Sequence, residues 1–186
     1  TGETIWTECQ YKSSSVNRLE GTCETTMVSR IITERKNYEN QLVFMAYHDG
    51  LTHLPNRRFL EKEFPHLVEL ANAQFKSIGI IYIDGDNFKK VNDAYGHDVG
   101  DVFIRNFGQV LARNVKVDDI VCRMGGDEFV IILTGLSRHE DKYLHEIDVF
   151  FKQIQKDLSK GWVIDCLTFK PTATMGVAIY PNHATK

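Results

Sequence analysis

Two apolar runs separated by a glycine pair, CRMGGDEFVIIL over residues 122–133, constrain this chain more than any other stretch. Gly125-Gly126 suits a turn that needs positive φ, so the runs at 119–124 and 128–133 read as two strands of a hairpin. Asp127 and Glu128 then stand at its tip or just after it. A turn carrying "GD" is common and usually holds no chemistry. The pair gains meaning from a second stretch, IGIIYIDGDNFKKVND over 78–93. There a buried strand (78–84) ends on Asp84, and a helix follows from about residue 87. If the two strand regions are neighbours in one sheet, Asp84 and Asp127 approach at the same edge. Beside a helix N-terminus, such a pair could hold one or two divalent cations bridging to phosphate. The alternative is that Asp86 or Asn87 merely caps the helix.

The rest of the pattern is mixed. Residues 4–12 and 22–32 alternate as strands, with 13–21 as a loop between them. Two strands alone are not stable in water, so this hairpin reads as the end of a domain or packs elsewhere. From Thr33, a candidate N-cap, the sequence turns helical, with Tyr38, Leu42, Met45 and Ala46 on one stripe. That stripe suits pairing of two copies and equally an amphipathic helix lying on its own domain. Residues 56–75 read as a helix that Pro65 should kink or interrupt. Helices at 87–95 and 99–114 are separated by Gly96 and Gly100. Leu144, Ile147, Phe151, Ile154 and Leu158 trace one face of a helix at 139–159. Strands at 162–169 and 172–180 follow. Helices mixed with hairpins argue for an α+β domain, one sheet backed by helices.

A length of 186 residues allows a real core, and a net charge of −3 gives no sign of a nucleic-acid surface. A phosphorylated ligand must therefore be held locally. No apolar run approaches the roughly 18 residues of a membrane span, and no signal peptide is visible. The four cysteines (9, 23, 122 and 166) form no CxxC pair and read as buried and reduced, which fits a cytoplasmic setting. A Cys9–Cys23 disulfide across the first hairpin is the less favoured reading. The seven histidines show no zinc-site spacing. The chain starts at Thr1 without a methionine and reads as a piece of something longer.

Four ordered stretches carry a resemblance: DGLTHLPNRR (49–58), DGDNFKKVNDAYGHDVGD (84–101), RMGGDEF (123–129) and ATMGVAIYP (173–181). Together they resemble the GGDEF family of diguanylate cyclases, which join two GTP molecules into cyclic di-GMP and release pyrophosphate. The resemblance implies a five-stranded mixed sheet flanked by helices, like nucleotide cyclases and polymerase palms. It implies Mg²⁺ (or Mn²⁺) held by Asp84, Asp127 and the Gly85 carbonyl. Asp127 would help activate the 3′-hydroxyl, with Glu128 as the neighbouring acid. The amides of Asn87, Phe88 and Lys89 would wrap the phosphates, and Asn92 and Asp101 would read the guanine edge. His97 lines the nucleotide pocket or is a structural histidine. Because each domain binds one GTP, the reaction needs a homodimer. The resemblance thus divides the chain into a hairpin (1–32), a linker helix (33–47) and a GGDEF domain (48–186).

The hairpin and the following ITERK resemble the end of a PAS sensory domain running into its output helix, which implies an upstream sensor. A downstream phosphodiesterase domain is a further candidate partner. There are departures from the family pattern. Gly85 stands where an aliphatic residue is usual. The inhibitory R-x-x-D motif is here Lys116-Val117-Asp118-Asp119, and Lys116 lacks the fork of Arg, so weak product inhibition is expected. The family's C-terminal helix, with a basic pair for the triphosphate, is not reached by Lys186, so weak GTP binding by this stretch is expected. A domain that binds GTP and regulates a partner without turnover is the alternative reading.

Overall fold

The structure is a computed structural model that describes residues 5–17 and 22–183. Residues 1–4, which include the first residue of the expected first strand, residues 18–21 of the expected loop, and residues 184–186 lie outside the described residues. The chain forms two compact units, Thr1–Ala46 and Tyr47–Lys186.

In the first unit, β1 (Thr7–Asn17) pairs antiparallel with β2 (Thr22–Ile31). Strand β1 continues through 13–17, part of the segment expected as a loop. Those residues include neither glycine nor proline, and β2 supplies a ladder for their backbone. The register sets Cys9 across from Ser29, and the Cys9 thiol donates to the Ser29 hydroxyl at 3.6 Å. Cys23 lies opposite Val16, so the two cysteines do not face each other. Cys9 and Cys166 are exposed, against the expectation of burial. Cys122 alone matches it among the described cysteines, and burial pushes its thiol up to about 12.

Helix α1 (Thr33–Tyr47) begins one residue earlier than the capping pattern implied. The Ile32 carbonyl accepts the Lys36 amide, so Ile32 holds the cap position. The Thr33 hydroxyl instead accepts the Trp6 amide at 3.0 Å, tying the helix start to its own hairpin. Tyr38, Leu42 and Met45 are all exposed.

The second unit is built on a sheet of four strands in the order β4 (Ile120–Gly125), β5 (Glu128–Leu136), β3 (Ser77–Gly85) and β8 (Ala173–Tyr180). Every pairing in it is antiparallel. The α+β sheet-and-helix architecture agrees with the expectation; among the described residues the sheet has four strands, all antiparallel, where five in a mixed sheet were expected. The segment 162–169, expected as one strand, folds back on itself as β6 (Trp162–Ile164) and β7 (Leu167–Phe169). Asp165 and Cys166 make that turn, both at positive φ (47° and 67°). Two consecutive left-handed residues suit a tight hairpin and cannot continue a strand.

Strand β3 is apolar on both faces over residues 78–81, where both faces are covered. Ile81 and Ile83 pack with β5 and with Phe103, Phe107 and Leu111 of α4 (His97–Arg113) and Ile147 and Ile154 of α5 (Glu140–Lys160). Ile78 packs on the opposite face beneath α2 (Arg57–Ala73), whose Ala71, Phe64 and Leu67 close it. Helix α2 runs unbroken through Pro65. The missing bond and ring clash cost about 3 kcal/mol. Packing Leu60, Phe64, Leu67 and Val68 on the sheet offsets this at on the order of 1 kcal/mol or more each. On α5, Tyr143 is buried with Ile147, Ile154 and Leu158, while Leu144 is 50 % exposed and leaves the expected stripe. Helix α3 (Phe88–Tyr95) and α4 are separated by Gly96 alone, at φ 85°, and Gly100 lies inside α4.

Candidate active site

The register of β3 with its neighbours assembles the acids. Asp84 sits opposite Glu128 on β5 and opposite Thr174 on β8. One residue on, the Gly85 amide donates to the Asp127 carbonyl at 3.1 Å. Strand alternation turns Ile81 and Ile83 into the core and Tyr82 and Asp84 to the other face. Near the α2 end of that face Ile78 is covered, whereas Tyr82 is 43 % exposed and Asp84 lies open beyond it. Desolvation, and then the negative charges of Asp127, Glu128 and Asp86, push the Asp84 carboxyl above its ordinary value. Local excess of negative charge of this kind favours a cation.

The signature turn is shaped by its glycines and held by an arginine. Gly125 has φ 144° and Gly126 φ 55°, both in the region that favours glycine. Arg123 donates from Nε and Nη2 to the Gly126 carbonyl at 3.1 and 2.8 Å, and from Nη1 to Asp49 Oδ1 at 2.8 Å. That same Asp49 oxygen accepts the Thr52 amide (2.8 Å) and hydroxyl (2.7 Å). The Arg123 amide donates to the Pro55 carbonyl at 2.9 Å. The loop 49–56, leading into α2, is thereby docked on the signature turn. Burial pushes the Asp49 carboxyl up, but Arg123 and Thr52 outweigh it and leave the group below its ordinary value.

Helix α3 starts beside these acids. Asn87 occupies its cap position at φ 62° without a side-chain cap bond. The carboxylate of Asp86 accepts the hydroxyls of Thr172 (2.6 Å) and Thr174 (2.8 Å). Neither residue is therefore the side-chain helix cap that the alternative reading allowed. The Phe88 ring packs on Phe103, with centroids 5.9 Å apart, which anchors the first turn to the core. The first amides of a helix lack intrahelical acceptors, so those of Phe88 and Lys89 are available to an anion. Asn92 lies against Gly100, and its side chain occupies the space any Cβ there would need. Asp101 follows Gly100 and is exposed, as is His97 at the start of α4. The structure thus brings Asn92 and Asp101 to one helix junction.

A family model described as diguanylate cyclase, GGDEF domain, matches residues 46–186. The chain belongs to the GGDEF family. It is 34% identical over 143 residues to the diguanylate cyclase TpbB of Pseudomonas aeruginosa, covering 77% of this chain and 32% of that protein. It is 30% identical over 154 residues to the cyclic di-GMP phosphodiesterase PdeR of Escherichia coli, covering 83% of this chain and 22% of PdeR. The chain spans less than a third of the length of these relatives. Among solved structures, the GGDEF domain of PA1120 (TpbB or YfiN) from Pseudomonas aeruginosa superposes with a TM-score of 0.68 at 32% identity, covering 74% of this chain and 77% of that one.

Within this GGDEF domain, Lys116 and Asp119 lie far from the signature turn. They precede β4, whose first residue Ile120 is five residues from Gly125, or about 17 Å along a strand. Asp119 accepts the Lys116 amide through Oδ2 (2.9 Å) and the Thr134 amide through Oδ1 (2.8 Å). Its carboxylate is engaged by the chain's own backbone. The Lys116 side chain borders a cavity of about 450 Å³.

Among the described residues, no three or more His, Cys, Asp and Glu side chains gather to hold a metal ion. Asp84, Asp127 and the Gly85 carbonyl fit a lighter hold. They are hard oxygen donors, and Mg²⁺ is commonly held by one or two carboxylates with substrate phosphate completing the shell. A Cβ on Gly85 would meet Asp127 Cβ at 3.4 Å, an ordinary contact, so the glycine there is not sterically required.

The sequence reading named 49–58 as a family stretch without a role and missed Arg123 as its partner. The Arg before the glycines and the Asp-x-x-Thr at 49–52 were the available signals, but their meeting depends on a separation of 74 residues. Thr172 and Thr174 were missed as well.

Proposed function

We propose that the full-length protein is a diguanylate cyclase that condenses two GTP into cyclic di-GMP. The observation that carries this reading is the β3–β5 register, which brings Asp84 beside Asp127-Glu128 next to the α3 N-terminus. Asp84, Asp127 and the Gly85 carbonyl would hold Mg²⁺ (or Mn²⁺). When bound, the ion supplies Lewis-acid polarisation of the phosphate and charge neutralisation of the leaving group. The amides of Asn87, Phe88 and Lys89 orient the triphosphate. Asn92 and Asp101 pair with guanine through an amide and a carboxylate, matching its carbonyl and N–H groups. His97 borders the same pocket. The Asp127-Glu128 carboxylates accept the proton as the 3′-hydroxyl oxygen bonds to the α-phosphorus of the other GTP. The bond from that phosphorus to pyrophosphate breaks. A second such transfer closes the ring, giving cyclic di-GMP and two pyrophosphates.

Because each open site supplies one GTP, the reaction requires a homodimer. The similarity to TpbB, itself a diguanylate cyclase, supports the reading. The N-terminal hairpin and helix are then the end of a PAS-like sensor (1–32) and its linker (33–47), acting on a cytoplasmic GGDEF domain (48–186). The full-length protein supplied with GTP and Mg²⁺ should yield cyclic di-GMP, and Asp127→Ala should abolish it. Normal GTP binding without product in a confirmed dimer would instead favour a second reading, a GTP-binding regulator of an attached domain. The similarity to PdeR, which is a phosphodiesterase, favours that alternative.

A further inference from the structure

We propose that Asp86 is a positioning residue, not a third metal ligand: its carboxylate, Thr172 and Thr174 form a strut that fixes the chain between β3 and α3 to strand β8. The inference rests on the cyclase reading for its catalytic consequence, but the strut itself is a feature of the fold.

The pairing of β3 with β8 ends at Gly85 opposite Ala173. Beyond it, the chain must leave the sheet and enter α3 through Asp86 and a left-handed Asn87. A junction of two residues outside any ladder would be free to rock. Hydrogen bonds to Thr172 and Thr174 hold it. The Asp86 amide donates to the Thr172 carbonyl at 3.1 Å. Its two carboxylate oxygens accept one threonine hydroxyl each, Oδ2 from Thr172 and Oδ1 from Thr174. Thr174 lies in β8 and Thr172 just before it, and both hydroxyls reach the one carboxylate.

This orientation has a chemical consequence. Each oxygen keeps a second lone pair, but the orientation of the carboxylate is set by the two threonine hydroxyls. So oriented, the carboxylate is well disposed to define where its neighbours point. The Gly85 carbonyl lies immediately before Asp86, and the Phe88 and Lys89 amides follow Asn87. Both sets of groups therefore take their direction from the strut. Small misplacements of such groups cost rate steeply, with about 1 Å worth on the order of 100-fold.

The test compares Asp86→Ala, the double variant Thr172→Val/Thr174→Val, and the hydroxyl-retaining Thr172→Ser/Thr174→Ser, all in the full-length protein. Four readouts apply: kcat and KM for GTP, Mn²⁺ affinity measured without nucleotide, amide hydrogen exchange over 86–92, and melting temperature. The strut predicts that Asp86→Ala and the valine pair lower kcat alike, by about 10- to 100-fold, with a smaller change in KM. Both should speed exchange over 86–92, the serine pair should restore both properties, and Asp86→Ala combined with the valine pair should be no worse than Asp86→Ala alone. The proposal is overturned if the valine pair keeps wild-type kcat and Mn²⁺ affinity while Asp86→Ala loses both, because Asp86 would then be a ligand. It is equally overturned if exchange over 86–92 is unchanged in both. Exchange and Mn²⁺ binding are read without turnover, so a wild-type protein that makes no cyclic di-GMP defeats the cyclase reading and leaves the strut still measurable.

Discussion

Asp84 and Asp119 stand at opposite ends of one sheet and live under opposite rules. Asp119 gives both oxygens to backbone amides, those of Lys116 and Thr134, and so closes the turn that starts β4. Asp84 is pushed up by desolvation and then by the charges of Asp127, Glu128 and Asp86. An acid satisfied by its own backbone is a structural part, whereas acids crowded together on an open face destabilise the fold and are retained for something they bind. The family pattern alone placed both in functional motifs. Geometry separates them.

The largest expected effect sits at the open end. Asp127→Ala should reduce cyclic di-GMP formation by about 1000-fold or more, as loss of a transition-state charge partner does, while circular dichroism shows an unchanged fold. Retained turnover would remove Asp127 from the site and dissolve the contrast. Next comes the clamp that shapes that end. Arg123→Met should lose about 2–3 kcal/mol in urea unfolding, because it strips a part-buried ion pair and two bonds to Gly126.

The pH dependence of the clamp has a definite sign. The folded Asp49 carboxyl is below its ordinary value, so its contribution is complete above about pH 4 and is lost as the pH falls through the folded value. Stability curves of wild type and Asp49→Asn should therefore converge in acid. At the closed end, Asp119→Ala should lower stability by about 1–2 kcal/mol and leave the KM for GTP unchanged. An altered KM would tie the two ends together. The smallest effect belongs to Lys116. Cyclic di-GMP binding, read by calorimetry, should be weak and should change less than about twofold in Lys116→Ala, since a lysine offers no bidentate fork. Tight binding lost in that variant would make this end functional too.

Legibility followed the range of the interaction. The glycine turn, the apolar strand ending on Asp84 and the helix after it could be read because each depends on neighbours in sequence. Segment 162–169 misled because its composition suits a strand, while two left-handed residues at 165 and 166 make it a hairpin. Leu144 misled for a related reason. Helical spacing defines a stripe but not its centre, and the sheet selected Tyr143 in its place. Pro65 reads as a breaker, yet its ring lies on the exposed side of α2 and the helix passes through it.

The sequence by itself determined the family, the α+β class and the identity of the acids, since motif order and local periodicity carry these. Only the tertiary structure decided how the acids are used. Whether Asp84 meets Glu128, whether Asp86 turns to Thr172 and Thr174 or to a helix end, and whether Arg123 finds Asp49 are matters of strand register and loop docking. Those contacts join residues up to 88 positions apart. No local propensity specifies them, because the strands take their register only when the sheet packs against its helices.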